Sequence, residues 1–310
     1  VQNGQIVRIR TITDREPGML GSRAQSGLEP LPPRYARPKA LEDALALRES
    51  GAQIIAGGTD FFPARVGKPL YDRDVACVLD LTALPELRGI REEVESYRIG
   101  ALTRWTEIVE APLPAQFRCL QAAAREVGGR QIQNRGTIGG NLCNASPAAD
   151  GVPALLALGA EIELLSRGGT RRLPLSDFIL GARRIALRPD EIASAILIPK
   201  PNGAAHSGFV KLGARRYLVI SIVMAAGCLD VVDGRIAGAR VAVGACSPVA
   251  LRLPALESAL QGATTSDLGR LAKAEHLAPL TPIDDVRATA TYRTEAALIV
   301  VRRLLQELSA

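Results

Sequence analysis

Two glycine-bearing stretches hold the residue types and spacing most suited to chemistry in this chain. The first, Ile54-Ile55-Ala56-Gly57-Gly58-Thr59-Asp60-Phe61, leaves a short apolar run and ends in a hydroxyl and a carboxylate. Where a strand gives way to a loop, bare N–H groups can converge on a phosphate. A residue without a Cβ lets the chain close around such an anion. Taken alone, Gly-Gly followed by Thr-Asp is more often an ordinary strand-to-helix turn. The second stretch, Asn134 to Asp150, carries Thr137-Ile138-Gly139-Gly140-Asn141 and then Asn144, Ser146, Pro147 and Asp150. Having no apolar period, it reads as a long glycine-rich loop and not as a core element. Two loops of this kind could hold the two halves of a pyrophosphate from opposite sides, each lending amide donors.

Other chemistries find less support. No G-x-G-x-x-G follows a strand and no G-x-x-x-x-G-K-[ST] occurs, so neither a Rossmann dinucleotide site nor a nucleotide-hydrolysing loop is expected. His206 and His276 are isolated from other metal-ligating residues. The five cysteines, Cys77, Cys119, Cys143, Cys228 and Cys246, have neither zinc nor iron–sulfur spacing and read as reduced, buried thiols. Cys143 lies inside the second stretch without needing a redox role, and Trp105 reads as packing.

The elements that must position these stretches follow from periodicity. Leu41, Ala44, Leu45 and Arg48 predict a helix over 41–49 that Gly51 stops. A short buried strand over Gln53–Ala56 delivers the first glycine pair. Cys77–Leu81 and Tyr97–Ala101 read as strands, and Thr103 or Thr106 as the cap of a short helix around Trp105 and Ile108. A helix through Gln116–Val127 stops at Gly128-Gly129. An Ala/Leu helix follows Asp150, then a strand over Ala160–Leu165 that turns at Gly168-Gly169. Beyond Pro199 the texture becomes antiparallel, with strands over Phe209–Leu212, Val219–Val232 and Arg235–Ala245, the last two joined at Asp233-Gly234. From Leu256 the pattern is helical, closing on a helix whose Ala297, Val300, Val301, Leu304 and Leu308 share a face. The domain organisation expected is a tail or linker over 1–33, subdomains over 34–91 and 92–203, and a C-terminal α+β domain over 204–310. Because the sequence opens on Val1, further chain is expected ahead of it.

Composition narrows the class. Of 310 residues, 47% are hydrophobic but only 4% aromatic, so an aliphatic core is expected. The formal charge of +6 comes from scattered Arg with no basic run, which argues against nucleic acid. It suits an anionic small molecule or an acidic partner. No apolar run is long enough for a membrane span or a signal peptide, so a cytoplasmic protein is expected.

In combination, Ala56-Gly57-Gly58-Thr59-Asp60, Thr137-Ile138-Gly139-Gly140-Asn141, Ser146-Pro147 with Asp150, and Phe209-Val210-Lys211-Leu212 before Arg215-Arg216 resemble the FAD-binding medium subunit of molybdenum hydroxylases. That family includes xanthine dehydrogenase, aerobic carbon monoxide dehydrogenase and 4-hydroxybenzoyl-CoA reductase. The resemblance runs from about Arg37 to the C-terminus, through Ala278-Pro279, Asp284-Asp285-Val286-Arg287 and Tyr292-Arg293. It implies an α+β chain with a two-subdomain FAD-binding fold of the PCMH/vanillyl-alcohol-oxidase type and a C-terminal domain of three antiparallel strands and helices. It also implies that the backbone of Ile54 to Phe61 and of Thr137 to Asn141 cradles the FAD pyrophosphate. Asp150 would bind the nucleotide side, and Ala193 would line the site. Lys211 would lie beside the isoalloxazine, where a cation stabilises the anionic reduced form, and Phe209 would stand where some relatives shield the ring with Tyr.

The implied partners are a molybdopterin-binding large subunit and a [2Fe–2S] small subunit, assembled as a dimer of heterotrimers, with the molybdenum cofactor outside this chain. Electrons would pass from the clusters through FAD to an external acceptor. Where xanthine dehydrogenases carry acidic residues near the nicotinamide, this chain has Tyr217-Leu218-Val219-Ile220. That argues against NAD, and oxygen, a quinone or another carrier stay open. The cysteine-bearing insertion of some benzoyl-CoA reductase relatives is missing, so flavin is the one cofactor expected here. A stand-alone FAD reductase of the same fold and a flavin-free assembly subunit are the rival readings.

Overall fold

The computed structural model describes residues 34–69, 71, 75–201 and 203–309, so the expected tail or linker over 1–33 lies outside the described residues. Among the described residues, three larger sheets and a two-stranded one are formed. A small parallel sheet of order β1-β3-β2 comes first, from β1 (Tyr35–Ala36), β2 (Gln53–Ile55) and β3 (Val78–Asp80). Helix α1 (Leu41–Glu49) connects β1 to β2. Parallel strands of one sheet, here on either side of β3, need such a crossover, and α1 buries Ala44 and Leu45.

The second sheet is antiparallel, of order β4-β5-β10-β6-β7. Its strands are β4 (Ile90–Glu92), β5 (Ser96–Gly100), β6 (Glu161–Ser166), β7 (Gly169–Pro174) and β10 (Ile192–Pro199). Central β10 is buried along nearly its whole length, as a strand covered on both faces must be. Between β5 and β6 run the helices α2 (Trp105–Glu110), α3 (Arg118–Glu126), α4 (Arg130–Gln133), α5 (Ile138–Asn144) and α6 (Gly151–Ala157). Between β7 and β10 lie α7 (Leu175–Phe178) and the two-stranded β8 (Ile179–Gly181) and β9 (Arg184–Ile185). A buried ion-pair cluster ties the sheet: Glu163 accepts from Arg98 at 2.6 Å, from Ser194 at 2.8 Å and from Arg172 at 3.1 Å.

The third sheet pairs β11 (Ala204–Leu212), β12 (Val223–Val232), β13 (Arg235–Gly244) and a two-residue β14 (Leu251–Arg252), all antiparallel. Three long strands were expected, and β14 adds a short fourth. The Asp233-Gly234 turn has φ of 50° and 72°, the positive pair a two-residue hairpin turn requires. Helix α8 (Pro254–Leu260) and the long α9 (Ala290–Leu308) cover this sheet. The expected face of α9, Ala297, Val300, Val301, Leu304 and Leu308, is buried. Gly208 and Gly227 are register partners. A Cβ on either would stand 3.0 to 3.3 Å from Leu304 or Leu308 methyls, so the absent side chains let the helix sit close. Buried Arg293 pins α9 by donating to Ile222 O at 2.9 Å and to Asp285 at 2.7 Å, and also to Ala245 O.

Three local expectations change. Arg104, not a threonine, stands at the N-cap of α2, with its N–H donating to Glu107 at 2.7 Å. Thr103 instead donates to Gly89 O at 3.2 Å and accepts from Gly89 N–H at 3.0 Å, while Thr106 donates to Asn134 at 2.6 Å. Strand β12 begins at Val223, with Ile222 N–H still donating to Leu212 O at 2.8 Å and Ser221 turned to the contact described below. The stretch from Asn134 to Asp150 is also no open loop, since α5 occupies its middle and buries Ile138, Gly139 and Leu142.

Candidate functional site

An open cleft of about 650 Å³ is walled by Ile54 to Phe61 on one side and by Thr137, Gly139, Gly140 and Asn141 on another, with Ala193 of β10 beside them. The two glycine stretches, far apart in sequence, thus meet at one cavity. They also clasp each other. A Cβ on Gly57 would come 2.1 Å from Arg135 O, and one on Gly139 would come 2.6 Å from Ala101 Cβ. Across the join, Asn144 donates to Asp60 at 2.8 Å, and Arg183 donates to Asn144 O at 3.1 Å and to the Asn144 side chain.

The first stretch leaves β2 and turns at once, with Gly58 at φ +74° and Phe62 N–H donating back to Gly58 O at 3.2 Å. Among the described residues, no carbonyl accepts from the amides of Gly57, Gly58, Thr59, Asp60 or Phe61. Five successive unpaired donors on a cavity wall suit an anion.

The second stretch works differently. Thr137 caps α5, its hydroxyl accepting from Gly140 N–H at 3.1 Å. Ile138 N–H donates to Thr103 O at 3.0 Å, Gly139 N–H to Ala101 O at 2.9 Å and Asn141 N–H to Thr137 O at 3.0 Å. These amides are spent on the fold. The expectation that both loops offer backbone donors is therefore corrected for residues 138–141, while Thr137 N–H has no acceptor among the described residues, and the Gly139-Gly140 pair serves close approach. Ile138 itself points into the core, fully buried.

The cleft accommodates a pyrophosphate-bearing group on two further counts. Asn141 Oδ1 is buried without a hydrogen-bond partner, so a ligand hydroxyl or amide on that wall would satisfy it. Charge also suits an anion, because Arg48, Arg65 and Lys68 line the cleft against Asp60, its one acidic lining residue among those described. Cys143 lines it as a neutral thiol, burial pushing its pKa up to about 12. Sequence reading placed Asn144 in the second stretch and Arg48 on a helix but gave no site role to Arg48 or Arg183, which no local pattern marks.

Asp150 and Lys211 lie elsewhere. Lys211 lines a second hollow of about 390 Å³ with Glu126, Phe209, Arg215, Arg216 and Val219. Glu126 faces this hollow and Val127 the first cleft, so the two adjoin at the end of α3. Lys211 donates to Asp150 at 2.9 Å and stands 3.8 Å from the Glu126 carboxylate, while Ser221 donates to Asp150 at 2.6 Å. Burial raises the Asp150 pKa above the ordinary carboxylate range, and Lys211 and Ser221 pull it back. The expectation that Asp150 and Lys211 serve opposite ends of the cofactor is thus corrected. Side chains in direct contact cannot serve opposite ends of one extended dinucleotide. Nor is Lys211 a lone cation, since two carboxylates offset it.

Among the described residues no cluster of His, Cys, Asp and Glu could hold a metal, and all five cysteines are free thiols. No helix among them is long and apolar enough to cross a membrane.

Residues 28–201 match the FAD binding domain in molybdopterin dehydrogenase, and residues 209–308 match the CO dehydrogenase flavoprotein C-terminal domain. The chain is 41% identical over 197 residues to the nicotinate dehydrogenase FAD-subunit of Eubacterium barkeri, covering 61% of this chain and 66% of that relative. It is 33% identical to the nicotine 6-hydroxylase medium subunit of Paenarthrobacter nicotinovorans, over 89% of this chain and 97% of the relative. A chain of the carbon monoxide dehydrogenase of Hydrogenophaga pseudoflava, in a form lacking the Mo-pyranopterin moiety of the molybdenum cofactor, superposes with a TM-score of 0.79 at 31% identity, over 88% of this chain and 96% of that one. With family matches across both halves of the chain, and with glycine stretches that converge on one anion-suited cleft, this protein belongs to the FAD-binding medium subunits of the molybdenum hydroxylases.

Proposed function

We propose that the chain is the electron-transfer flavoprotein subunit of a molybdenum hydroxylase. In that role it takes electrons from [2Fe–2S] clusters held by a small subunit and passes them to an external acceptor. The observation that carries this reading is the row of five unpaired amides at Gly57 to Phe61 on the wall of the cleft. These amides would hold the FAD pyrophosphate, helped by the excess positive charge around them, and Asn141 would meet a ligand hydroxyl. Asp150 and Lys211, acting as one unit in the adjoining hollow, would face the isoalloxazine end. The Phe209 ring in the same hollow would exclude water there. Bound FAD supplies the ability to accept electrons singly and release them in pairs.

Substrate oxidation would take place on a molybdopterin-binding large subunit, in a cytoplasmic assembly of two heterotrimers. The segment 217–220 beside the second hollow, with exposed Tyr217, Leu218 and Ile220, carries no acidic residue of its own, which favours an acceptor other than NAD.

The test is flavin and subunit analysis of the purified native complex. One FAD per chain is expected, released into the supernatant by acid precipitation, since no His lines the cleft among the described residues and its one lining cysteine, Cys143, is a neutral thiol. A fully active complex without flavin, or colour that stays with the precipitate, would overturn the reading.

A further inference from the structure

Arg48 closes α1 and lines the large cleft. Its guanidinium is held on three sides: Nε donates to Glu191 O at 3.1 Å, one terminal nitrogen to Ala52 O at 3.0 Å and the other to Arg188 O at 3.5 Å. All three acceptors are neutral carbonyls. The Glu191 carboxylate is occupied, because it takes two 2.8 Å bonds from Arg171 and another from Arg188 N–H, and Asp190 acts on Arg48 only through space, without a contact. By contrast, Arg98 and Arg240, also half-buried, pair with Glu163 and Asp230, and fully buried Arg293 pairs with Asp285. Among the described residues no carboxylate stands within 4.0 Å of Arg48, and Asp190 offsets its charge only from a distance.

Carbonyl oxygens satisfy N–H groups without cancelling the charge. A guanidinium carries five N–H donors, and three are spent here. Burial of this group also lowers its pKa from the ordinary arginine value, the mark of a cation short of compensation. The wall around it is apolar, formed by Ile185, Leu187 and Ile192, which strengthens any charge–charge contact made there.

We propose that Arg48 is a binding residue for the dinucleotide, a fixed cation that pairs with an anionic oxygen of the cofactor in the cleft. This rests on the FAD reading above. The three carbonyls hold the guanidinium in position before the ligand arrives, so little side-chain freedom is lost on binding.

The test uses the full chain freed of flavin. FAD affinity is measured by fluorescence quenching at low and high salt for wild type, Arg48→Lys and Arg48→Met. Arg48→Met should raise Kd on the order of tenfold at low salt, the worth of one charge-assisted hydrogen bond. It should also lose much of the salt dependence, while Arg48→Lys, which keeps the charge, recovers a large part of the affinity. Should Arg48→Met fail to fold, Arg48→Gln, which retains a donor for Ala52 O, carries the same comparison. Unchanged affinity in the neutral variants would overturn the inference. So would weakening with the wild-type salt dependence, or a lysine variant as weak as the methionine one, since each would leave Arg48 a staple for the 188–191 turn. Wild-type protein that binds no FAD would instead defeat the FAD reading itself.

Discussion

Replacing Lys211 by Met removes the cation from a pair whose side chains are only 7% and 10% exposed. At their separation of 2.9 Å, unit charges attract by about 6 kcal/mol at an effective dielectric constant of about 20. Desolvation offsets part of that, and breaking a buried pair typically costs about 3 to 5 kcal/mol. Asp150 would keep only the Ser221 hydroxyl at 2.6 Å. Burial already raises its pKa above the ordinary 3.8 and Lys211 opposes the rise, so losing Lys211 drives it higher. A carboxyl with a raised folded pKa contributes stability that is fully present below the unfolded value and lost as pH climbs through the folded one. Raising that pKa further means the variant goes on losing stability after wild type has stopped. Its deficit should be small near pH 4 and reach about 3 kcal/mol at pH 8. Asp150→Asn in the Lys211→Met background should recover more than half of the pH 8 deficit and flatten its pH dependence. Urea denaturation of the full chain at both pH values measures this. A deficit equal at both, unrelieved by Asp150→Asn, would refute the argument. It also implies that Lys211→Met shifts the flavin potential little at neutral pH, because the proton taken up by Asp150 replaces most of the lost charge.

Two further outcomes follow from the clasp and the second sheet. Gly57→Ala would place a Cβ 2.1 Å from Arg135 O and 2.7 Å from its carbonyl carbon. Backbone on the far side cannot yield, so FAD content should fall together with about 2 kcal/mol of stability. Gly51→Ala, at φ +90° with nothing within 4 Å, should cost about 1 kcal/mol and leave FAD content intact. Glu163 is desolvated, yet hydrogen bonds from Arg98, Ser194 and Arg172 bring its pKa down from 4.5 to about 2. A depressed pKa contributes stability above pH 4.5 that disappears between 4.5 and 2, at most about 3 kcal/mol because Arg172 is half exposed. Acid unfolding of Glu163→Gln should lack that component, and an acid midpoint identical to wild type would remove Glu163 from the account.

The features legible along the chain are local or periodic: α1, the β12–β13 turn, the buried face of α9 and the first glycine loop. Each depends on residues within a few positions of one another, as at Asp233-Gly234, where two positive φ values need no distant partner. Tertiary structure decided the rest. Asn134 to Asp150 has no apolar period, yet α5 forms in it because Ala101 and Thr103, more than thirty residues earlier, accept its first amides. That distant pairing also decides which glycine stretch keeps donors for a ligand. Lys211 meets Asp150 across 61 positions and Arg48 meets Glu191 across 143, so neither the neutralised lysine nor the uncompensated arginine is visible in composition or spacing. Whether a charge is free or paired depends on which carboxylate the fold brings within about 4 Å of it, and the packing of the sheets settles that after every local conformation is already chosen.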